Sequence, residues 1–510
     1  YTSTLPNNDS GWGRVDALSA AWMVLHPGRI AGVVRDTLGT PVRGAQVQAT
    51  PRGGLSPAAT VHADAQGRYH LLLAPAIYNL TATAFGHVSQ SQSGVAVVTD
   101  TVTQVDFQLP ALPTGEVHGQ VRVASTGAPP TRPVTIRALN TPVTATVGSD
   151  GAYRLRLPTG AYTLEARGNG YRIVTAPVTV TLEGSVRDFS LQPAPTLLVV
   201  DQGALYYTSK IGYWTAALEA LDYAYDLWPI TRLPLPEELL TPYALTLWSA
   251  PLGSPGLVDA GEMLAEYLQD GGRLLLSGQD VAYFDSGAGM SVSPQPYLGE
   301  LLGVRYVADD TASRTVRGVG PFAGFVAAIA GGDGANNQLS PDVVAREDPE
   351  LAEAFWEYGD GSAAGLGAYL CTEYRGLFWA FGYEGLATAE ARLESLDRVL
   401  TWLAAPQPAL GLRFTAVDGS DIGSPLLIGM PGTVVTHTLR LRHIGVAGAA
   451  DTVTLTLSPS SWPTTVTPAQ VRLEPCTAIT VSVRVTLPAA AEVDAADEVT
   501  LTAHSALGAA

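Results

Sequence analysis

The sequence predicts a multidomain chain of two β-sandwiches, one doubly wound α/β domain and a final β-sandwich. Three observations carry this. Residues 28–194 hold two copies of a pattern of short strands in which apolar and polar residues alternate. Between 195 and 405, continuous apolar runs take turns with helical periodicity. From 406 to 510 the alternation returns. At 510 residues the chain is too long for one core. With 46% hydrophobic against 15% charged residues it has ample apolar surface to fold. Its 53 glycines and 36 prolines imply many turns.

The first predicted element is a helix that Asp9 or Ser10 would cap, with Val15, Leu18 and Trp22 as its apolar stripe. The run Gly11-Trp12-Gly13-Arg14-Val15-Asp16-Ala17 resembles the closing segment of subtilisin-like serine peptidase domains. There a G-x-G-R-V-[DN]-A run enters the last helix after the catalytic serine. The resemblance covers residues 1–27 alone. It implies that they are the tail of such a domain, poorly anchored without the rest, and that an Asp-His-Ser triad lies upstream of Tyr1.

The repeat follows, as 28–111 and 112–194. Ile30-Ala-Gly-Val-Val matches Val117-His-Gly-Gln-Val, and Gly67-Arg-Tyr-His-Leu matches Gly151-Ala-Tyr-Arg-Leu. Ala76-Ile-Tyr-Asn-Leu-Thr-Ala matches Gly160-Ala-Tyr-Thr-Leu-Glu-Ala, and Phe107-Gln-Leu matches Phe189-Ser-Leu. The order G-x-V, P-V-x-G-A-x-V, D-x-x-G-x-Y, Y-x-L-x-A resembles the carboxypeptidase regulatory-like, transthyretin-like sandwich. Copy two departs from it with Thr131-Arg-Pro-Val-Thr. The resemblance implies that Gly67 and Gly151 turn hairpins, that Tyr69 and Tyr153 face the core, and that the modules act as spacers or docking surfaces.

Gln192-Pro-Ala-Pro-Thr is a stiff linker. After it, strands are predicted at 196–200, 225–230, 244–248, 273–276 and 377–381, and helices at 211–221, 257–268 and 389–403. The uninterrupted apolar runs predict parallel strands buried on both faces. Glu266-Tyr-Leu-Gln-Asp-Gly-Gly-Arg-Leu-Leu-Leu-Ser-Gly and Gly382-Tyr-Glu-Gly resemble the flavodoxin/class I glutamine amidotransferase-like fold. In 406–510, strands at 433–442, 451–457 and 477–487 with Ser461-Trp-Pro between them are similar to Ig-like modules of secreted hydrolases. No cap is evident at Ala510, and the natural chain is expected to continue.

The net charge is −18, and residues 195–405 carry all of it, with 28 Asp and Glu against 10 Lys and Arg (28 − 10 = 18). A phosphate backbone needs a basic face, so nucleic acid is excluded as a partner. No apolar run is long enough to span a membrane. The two cysteines, Cys371 and Cys476, fall in different predicted domains, and no disulfide framework is expected.

Chemistry is sought in the α/β segment. An amidotransferase-like site needs a cysteine on a strand-to-helix elbow and a histidine base, and no histidine lies between 119 and 436. Cys371, in Gly367-Ala-Tyr-Leu-Cys-Thr-Glu, lacks the elbow and reads as a small core residue. A ligand would sit at the carboxyl ends of the strands, where Asp201, Gln202, Ser277, Gln279, Asp280 and Glu384 should gather as a vestigial pocket. The plainer reading is that they cap helices and satisfy loop backbone. No catalytic residue and no metal site are expected. Asp64 and Asp150 open tight turns, and one carboxylate per turn is too few for a calcium cage. Asp309-Asp310 and Asp333 read as solvated loops, and no zinc spacing occurs. No cofactor is expected beyond a structural calcium.

The function this implies is a non-catalytic accessory region of a secreted subtilisin-like serine endopeptidase, extracellular or at the cell surface. Its partners would be protein or peptide substrates of the parent protease, or cell-surface components. The alternative is a non-enzymatic adhesive protein of the cell surface. A hydrolase centred on 195–405 is disfavoured by the missing histidine.

Overall fold

The computed structural model describes residues 27–53, 58–252, 254–289, 293–408, 410–417, 422, 426–446 and 449–508. The helix expected near residue 10 lies outside them. The chain forms two compact units. One extends to Arg167 and includes Val174–Leu191; the other takes Gly168–Ile173 and everything from Gln192 onward.

The first unit repeats one strand plan twice. In copy one, Gly28–Asp36 pairs antiparallel with Arg68–Leu73 and parallel with Val102–Gln104 and Phe107–Leu109. Facing it is a sheet ordered Ala59–His62, Gln46–Pro51, Ala76–Thr83, Gln90–Val97. In copy two, Thr114–Val123 pairs with Ala152–Pro158, Ser185–Val186 and Phe189–Leu191 in the same senses. Alternation sends Ile30, Val34, Tyr69, Leu71 and Leu73 into one core.

The G-x-V signature has a steric cause. An added Cβ at Gly32 would collide with the Val105 carbonyl oxygen, and one at Gly119 with that of Arg187. The core tyrosines hold those same carbonyls: the Tyr69 hydroxyl donates to Val105 O at 2.8 Å and that of Tyr153 to Arg187 O at 2.6 Å. Asp106 and Asp188 then accept from the Val33 and Gln120 N–H groups at 2.8 and 2.7 Å. Gly67 and Gly151 adopt positive φ of 74° and 84° at the hairpins.

The second unit is built on an 11-stranded mixed sheet. Its strands are β1 (Leu197–Asp201), β2 (Asp226–Pro229), β3 (Leu245–Ser249), β4 (Arg273–Ser277), β5 (Val304–Ala308), β6 (Thr315–Gly318), β7 (Val326–Ala328), β8 (Val343–Arg346), β9 (Ala352–Tyr358), β10 (Ala363–Ala368) and β11 (Arg375–Trp379). Strands β2-β1-β3-β4-β11 run parallel in that order. The sheet then continues antiparallel through β10, β9, β6 and β7, with β8 on β10 and β5 on β8. The expectation of a wholly parallel sheet is corrected by this extension. Charged residues (Arg305, Arg317, Arg346, Glu353, Glu357), the glycines of β10 and bulges in the β5–β8 and β9–β10 pairings interrupt these strands, so most lack the continuous apolar runs that mark β1, β3 and β4.

Consecutive residues of the parallel strands feed opposite cores. Leu198, Val200, Trp248, Leu274 and Leu276 face one; Leu197, Val199, Leu245, Leu247 and Leu275 face the other. The helices are α1 (Ile211–Ala220), α2 (Gly261–Gln269), α3 (Val281–Asp285) and α4 (Ala389–Ala404). Leu264 and Leu268 of α2 close the first core; Trp214 and Leu218 of α1 and Leu396, Leu400 and Leu403 of α4 close the second. The Thr388 hydroxyl caps α4, accepting from Ala391 N–H at 3.1 Å. Strand β2 lies at the sheet edge and is exposed throughout, a second departure from the expected full burial.

The C-terminal sandwich packs a sheet ordered Leu412–Ala416, Val434–His443, Ala478–Thr486, Thr464–Thr467 against one ordered Gln470–Leu473, Asp451–Leu457, Leu501–Ser505. Ion pairs tie it to the α/β segment: Arg413 with Glu353 at 2.7 Å, and Arg440 and Arg442 both with Glu350 at 2.6 Å. The two cysteines form a disulfide with Cα atoms 5.5 Å apart. The expectation of unpaired cysteines in separate domains is therefore corrected. Cys371 sits in the β10–β11 turn and Cys476 in the turn after Gln470–Leu473, and the ion-paired packing brings these turns together. Distance along the chain gives no sign of it.

Candidate functional site

In the parallel part of the sheet the chain goes from β1 outward to β2, then back past β1 to β3. Strand direction of travel thus reverses between β1 and β3, where loops part at the carboxyl ends and ligands bind in folds of this kind. Asp201 ends β1, Ser249 ends β3, Ser277 ends β4, and Gly382–Glu384 follows β11.

The six predicted residues all lie on this side, but they fall into three groups. Asp201 accepts from the Ser209 hydroxyl at 2.6 Å, while neighbouring Gln202 accepts from Trp248 Nε1 at 2.9 Å and donates to Ser254 O at 2.9 Å. Burial pushes the Asp201 carboxyl up against the opposing pull of Ser209. The second group is Ser277, Gln279 and Glu384. The Ser277 hydroxyl donates to Phe381 O and accepts from Tyr383 N–H, each at 2.9 Å. Gln279 donates to Asn337 O at 2.6 Å and accepts from the Leu339 N–H at 2.8 Å. Glu384 accepts from Asn337 Nδ2 at 2.8 Å, and burial raises its carboxyl. Asp280 stands apart, facing Asp309 and Asp342. Burial, with the Asp309 charge second, raises it to about 6.

Three of the six, Gln202, Ser277 and Gln279, thus hold loop backbone, while Asp201 and Glu384 meet neighbouring side chains. Three polar atoms at the strand ends are nevertheless buried without a hydrogen-bond partner: Asp201 Oδ1, Ser249 Oγ and Glu384 Oε2. Sequence reasoning missed Ser249, Asn337, Gln338, Asp342 and the buried pair of Asp285 and Tyr297, whose hydroxyl donates to Asp285 at 2.5 Å. The polar run Asn336-Asn337-Gln338 was the one local sign of them.

Among the described residues, no nucleophile with a base assembles at these strand ends. Ser277 spends its proton on Phe381 O. Cys371, expected to be a core residue, is instead half of the disulfide. It precedes β11, which pairs with β4 from Arg273↔Arg375 to Ser277↔Trp379, so the bridge lies at the amino ends of the parallel strands. The backbone carbonyl of His443 lies 3.7 Å from Cys371 Sγ, and a carbonyl is no general base. Asp64 and Asp150 hold their own turns, accepting from Gln66 and Arg68 N–H and from Ala152 N–H at 2.8–2.9 Å. No described helix is long and apolar enough to cross a membrane.

Comparison with known proteins bears on this arrangement. Residues 29–110 and 116–192 each match the carboxypeptidase regulatory-like domain family. The chain is 27% identical over 223 residues to bacillopeptidase F of Bacillus subtilis (strain 168), covering 40% of this chain and 15% of that protein. It thus spans about 15% of the length of the curated relative it matches. Among solved structures, a streptococcal ancillary pilin aligns at TM-score 0.22 and 14% identity, over 36% of this chain and 65% of that one. The shaft pilin SpaA of Lactobacillus rhamnosus GG aligns at TM-score 0.22 and 11% identity, over 33% and 98%. These scores are too low to place the chain in either fold.

Proposed function

We propose that this chain is the non-catalytic accessory region of a secreted subtilisin-like serine endopeptidase. Its modules act as spacers and as substrate- or surface-binding elements. Peptide-bond hydrolysis is assigned to an Asp-His-Ser triad on chain preceding residue 1. The observation that carries the reading is the state of the α/β strand ends: Ser277, Gln279 and Gln202 are committed to structural hydrogen bonds, and the cysteine is tied in a disulfide on the far side. The run Gly11–Ala17, the two regulatory-like matches and the partial likeness to bacillopeptidase F support the link to a peptidase.

On this reading residues 1–27 end the peptidase domain, and 28–111 and 112–194 are spacer sandwiches. Residues 195–405 form an inactive amidotransferase-like module, and 406–510 an Ig-like one. The disulfide and the acidic α/β segment suit an extracellular or cell-surface location. Protein or peptide substrates of the parent enzyme, or cell-surface components, are the partners.

The test uses a fluorophosphonate probe, casein and glutamine. The chain should label no serine, leave casein intact and release no ammonia; a labelled serine within 1–510 would overturn the assignment. The reading frame before residue 1 should encode a Gly-Thr-Ser-x-Ala-x-Pro segment. A frame without one leaves the adhesive-protein alternative in place.

A further inference from the structure

Three carboxylates meet beside the sheet, and hydrogen bonds to the protein do not account for all of their oxygens. Asp280 follows β4, Asp309 follows β5 and Asp342 precedes β8, and one oxygen of each lies within 4.8 Å of the others. Asp342 is the inner member and is fully buried. Its backbone is pinned: its N–H donates to Ala380 O at 3.0 Å, and the Tyr358 hydroxyl donates to its carbonyl at 2.9 Å. Its Oδ2 accepts from the Tyr283 N–H at 3.0 Å. Its Oδ1 is shut off from solvent and has no hydrogen-bond partner.

A bare carboxylate oxygen in that position is unfavourable unless a proton or a cation meets it, and burial first, against the pull of the Tyr283 N–H, pushes the Asp342 carboxyl up to about 8. The charged groups acting on it are two more carboxylates, Asp280 and Asp309, which add repulsion. Asp310 does not share this setting, since Arg314 Nη2 binds it at 3.0 Å. Asp280 is half-buried and Asp309 exposed, so the cluster opens to solvent on one side. The Tyr283 and Tyr306 rings stand beside it with centroids 5.6 Å apart. Burial first, then Asp309, Asp342 and Asp280, push the Tyr306 phenol up to about 12.

We propose that Asp280, Asp309 and Asp342 bind one hard divalent cation, with the buried Asp342 oxygen as the inner ligand and Asp309 closing the site from solvent. The donors are oxygen only. Calcium accepts six to eight oxygens at flexible geometry, and three carboxylates supply about half of that shell, with water or backbone carbonyls completing it. Zinc is disfavoured, because no histidine or cysteine belongs to the cluster. The ligands come from loops of the parallel strands and of the antiparallel extension. A bound ion therefore cross-links the two halves of the sheet and neutralises part of the −18 charge that segment carries.

The experiment uses the whole chain, stripped with EDTA and titrated calorimetrically with calcium and, separately, magnesium. Terbium emission excited through tyrosine is the second readout. One saturable site is expected for calcium or magnesium. At a hundred times the dissociation constant, the ion should raise the melting temperature of the α/β transition by roughly 5–10 °C. Asp309→Asn, an exposed substitution that does not threaten folding, should weaken binding at least tenfold. Asp342→Asn should abolish binding and the terbium signal. Glu262→Gln, exposed on α2, should change neither. The absence of binding at cation concentrations of about 10 mM, above the range of extracellular calcium modules, overturns the proposal. So does binding of undiminished affinity in Asp309→Asn, which decides the matter even if Asp342→Asn does not fold.

Discussion

Breaking the Cys371–Cys476 bridge should cost the second unit a large part of its stability. The cysteines are 105 positions apart, and the loop they close contains β11, α4 and the first two long strands of the C-terminal sandwich. Closing a loop of about 100 residues removes on the order of 4.7 kcal/mol of chain entropy from the unfolded state. Measured values fall below this bound when native packing survives without the bridge. Here Arg413–Glu353 and the two arginines on Glu350 still hold the same surfaces together. A loss of about 2–4 kcal/mol is expected, equivalent to roughly 3–6 °C for a cooperative unit of this size. Cys371 and Cys476 have φ of 56° and 57°, and serine in the same conformation carries a similar backbone cost. The double variant Cys371→Ser/Cys476→Ser therefore reports mainly on the bridge. Scanning calorimetry of the chain with and without reductant, and of the double variant, is the assay. An unchanged transition, or alkylation of two free thiols in the non-reduced chain, refutes the reasoning.

Other expectations follow from single contacts. Ser277→Ala leaves the buried Tyr383 N–H and Phe381 carbonyl without partners and should lower stability by about 2–4 kcal/mol in urea titrations; a neutral result means Ser277 is free for another role. Asp285, buried against Tyr297, has its carboxyl raised by burial from 3.8 to about 6. A folded-state value above the unfolded one means that its contribution is fully present below pH 4 and lost as pH rises through 6. The loss is on the order of 3 kcal/mol. Asp285→Asn should flatten the fall of the urea midpoint between pH 4 and 7 in EDTA, and an unchanged slope counts against the assignment. Gly32→Ala and Gly119→Ala each drive a Cβ into a backbone carbonyl. Each should destabilise its own sandwich by about 1–3 kcal/mol, read as faster proteolysis of that sandwich; equal protection in variant and parent excludes the close approach as the reason for glycine.

The strands best read from sequence are those whose pattern is local. β1, β3 and β4 are short apolar runs closed by Asp201, Ser249 and Ser277, and α4 carries its own cap and apolar stripe. The antiparallel extension from β5 to β10 escaped, because charged residues such as Arg305, Arg317, Glu353 and Glu357 and the glycines of β10 break its apolar runs. Glu384 and Gln279 were placed on the correct side of the sheet from their positions after β11 and β4. That they would be joined through Asn337 was not legible, since that loop has no periodicity of its own.

By itself the sequence determined the duplicated sandwich plan, down to Gly32 and Gly119. Each signal there is steric and acts within one strand or turn: a missing Cβ, a positive φ, an alternation of period two. It also determined that the α/β segment holds no histidine. Only the tertiary structure decided that Cys371 meets Cys476, and that Asp342, one oxygen of which is buried and unpaired, meets Asp280 and Asp309. Pairings of that kind depend on which loops the packed sheet brings together. Charge and sulfur act through space over a few ångströms, and residues far apart in the chain reach that range only after the cores have formed.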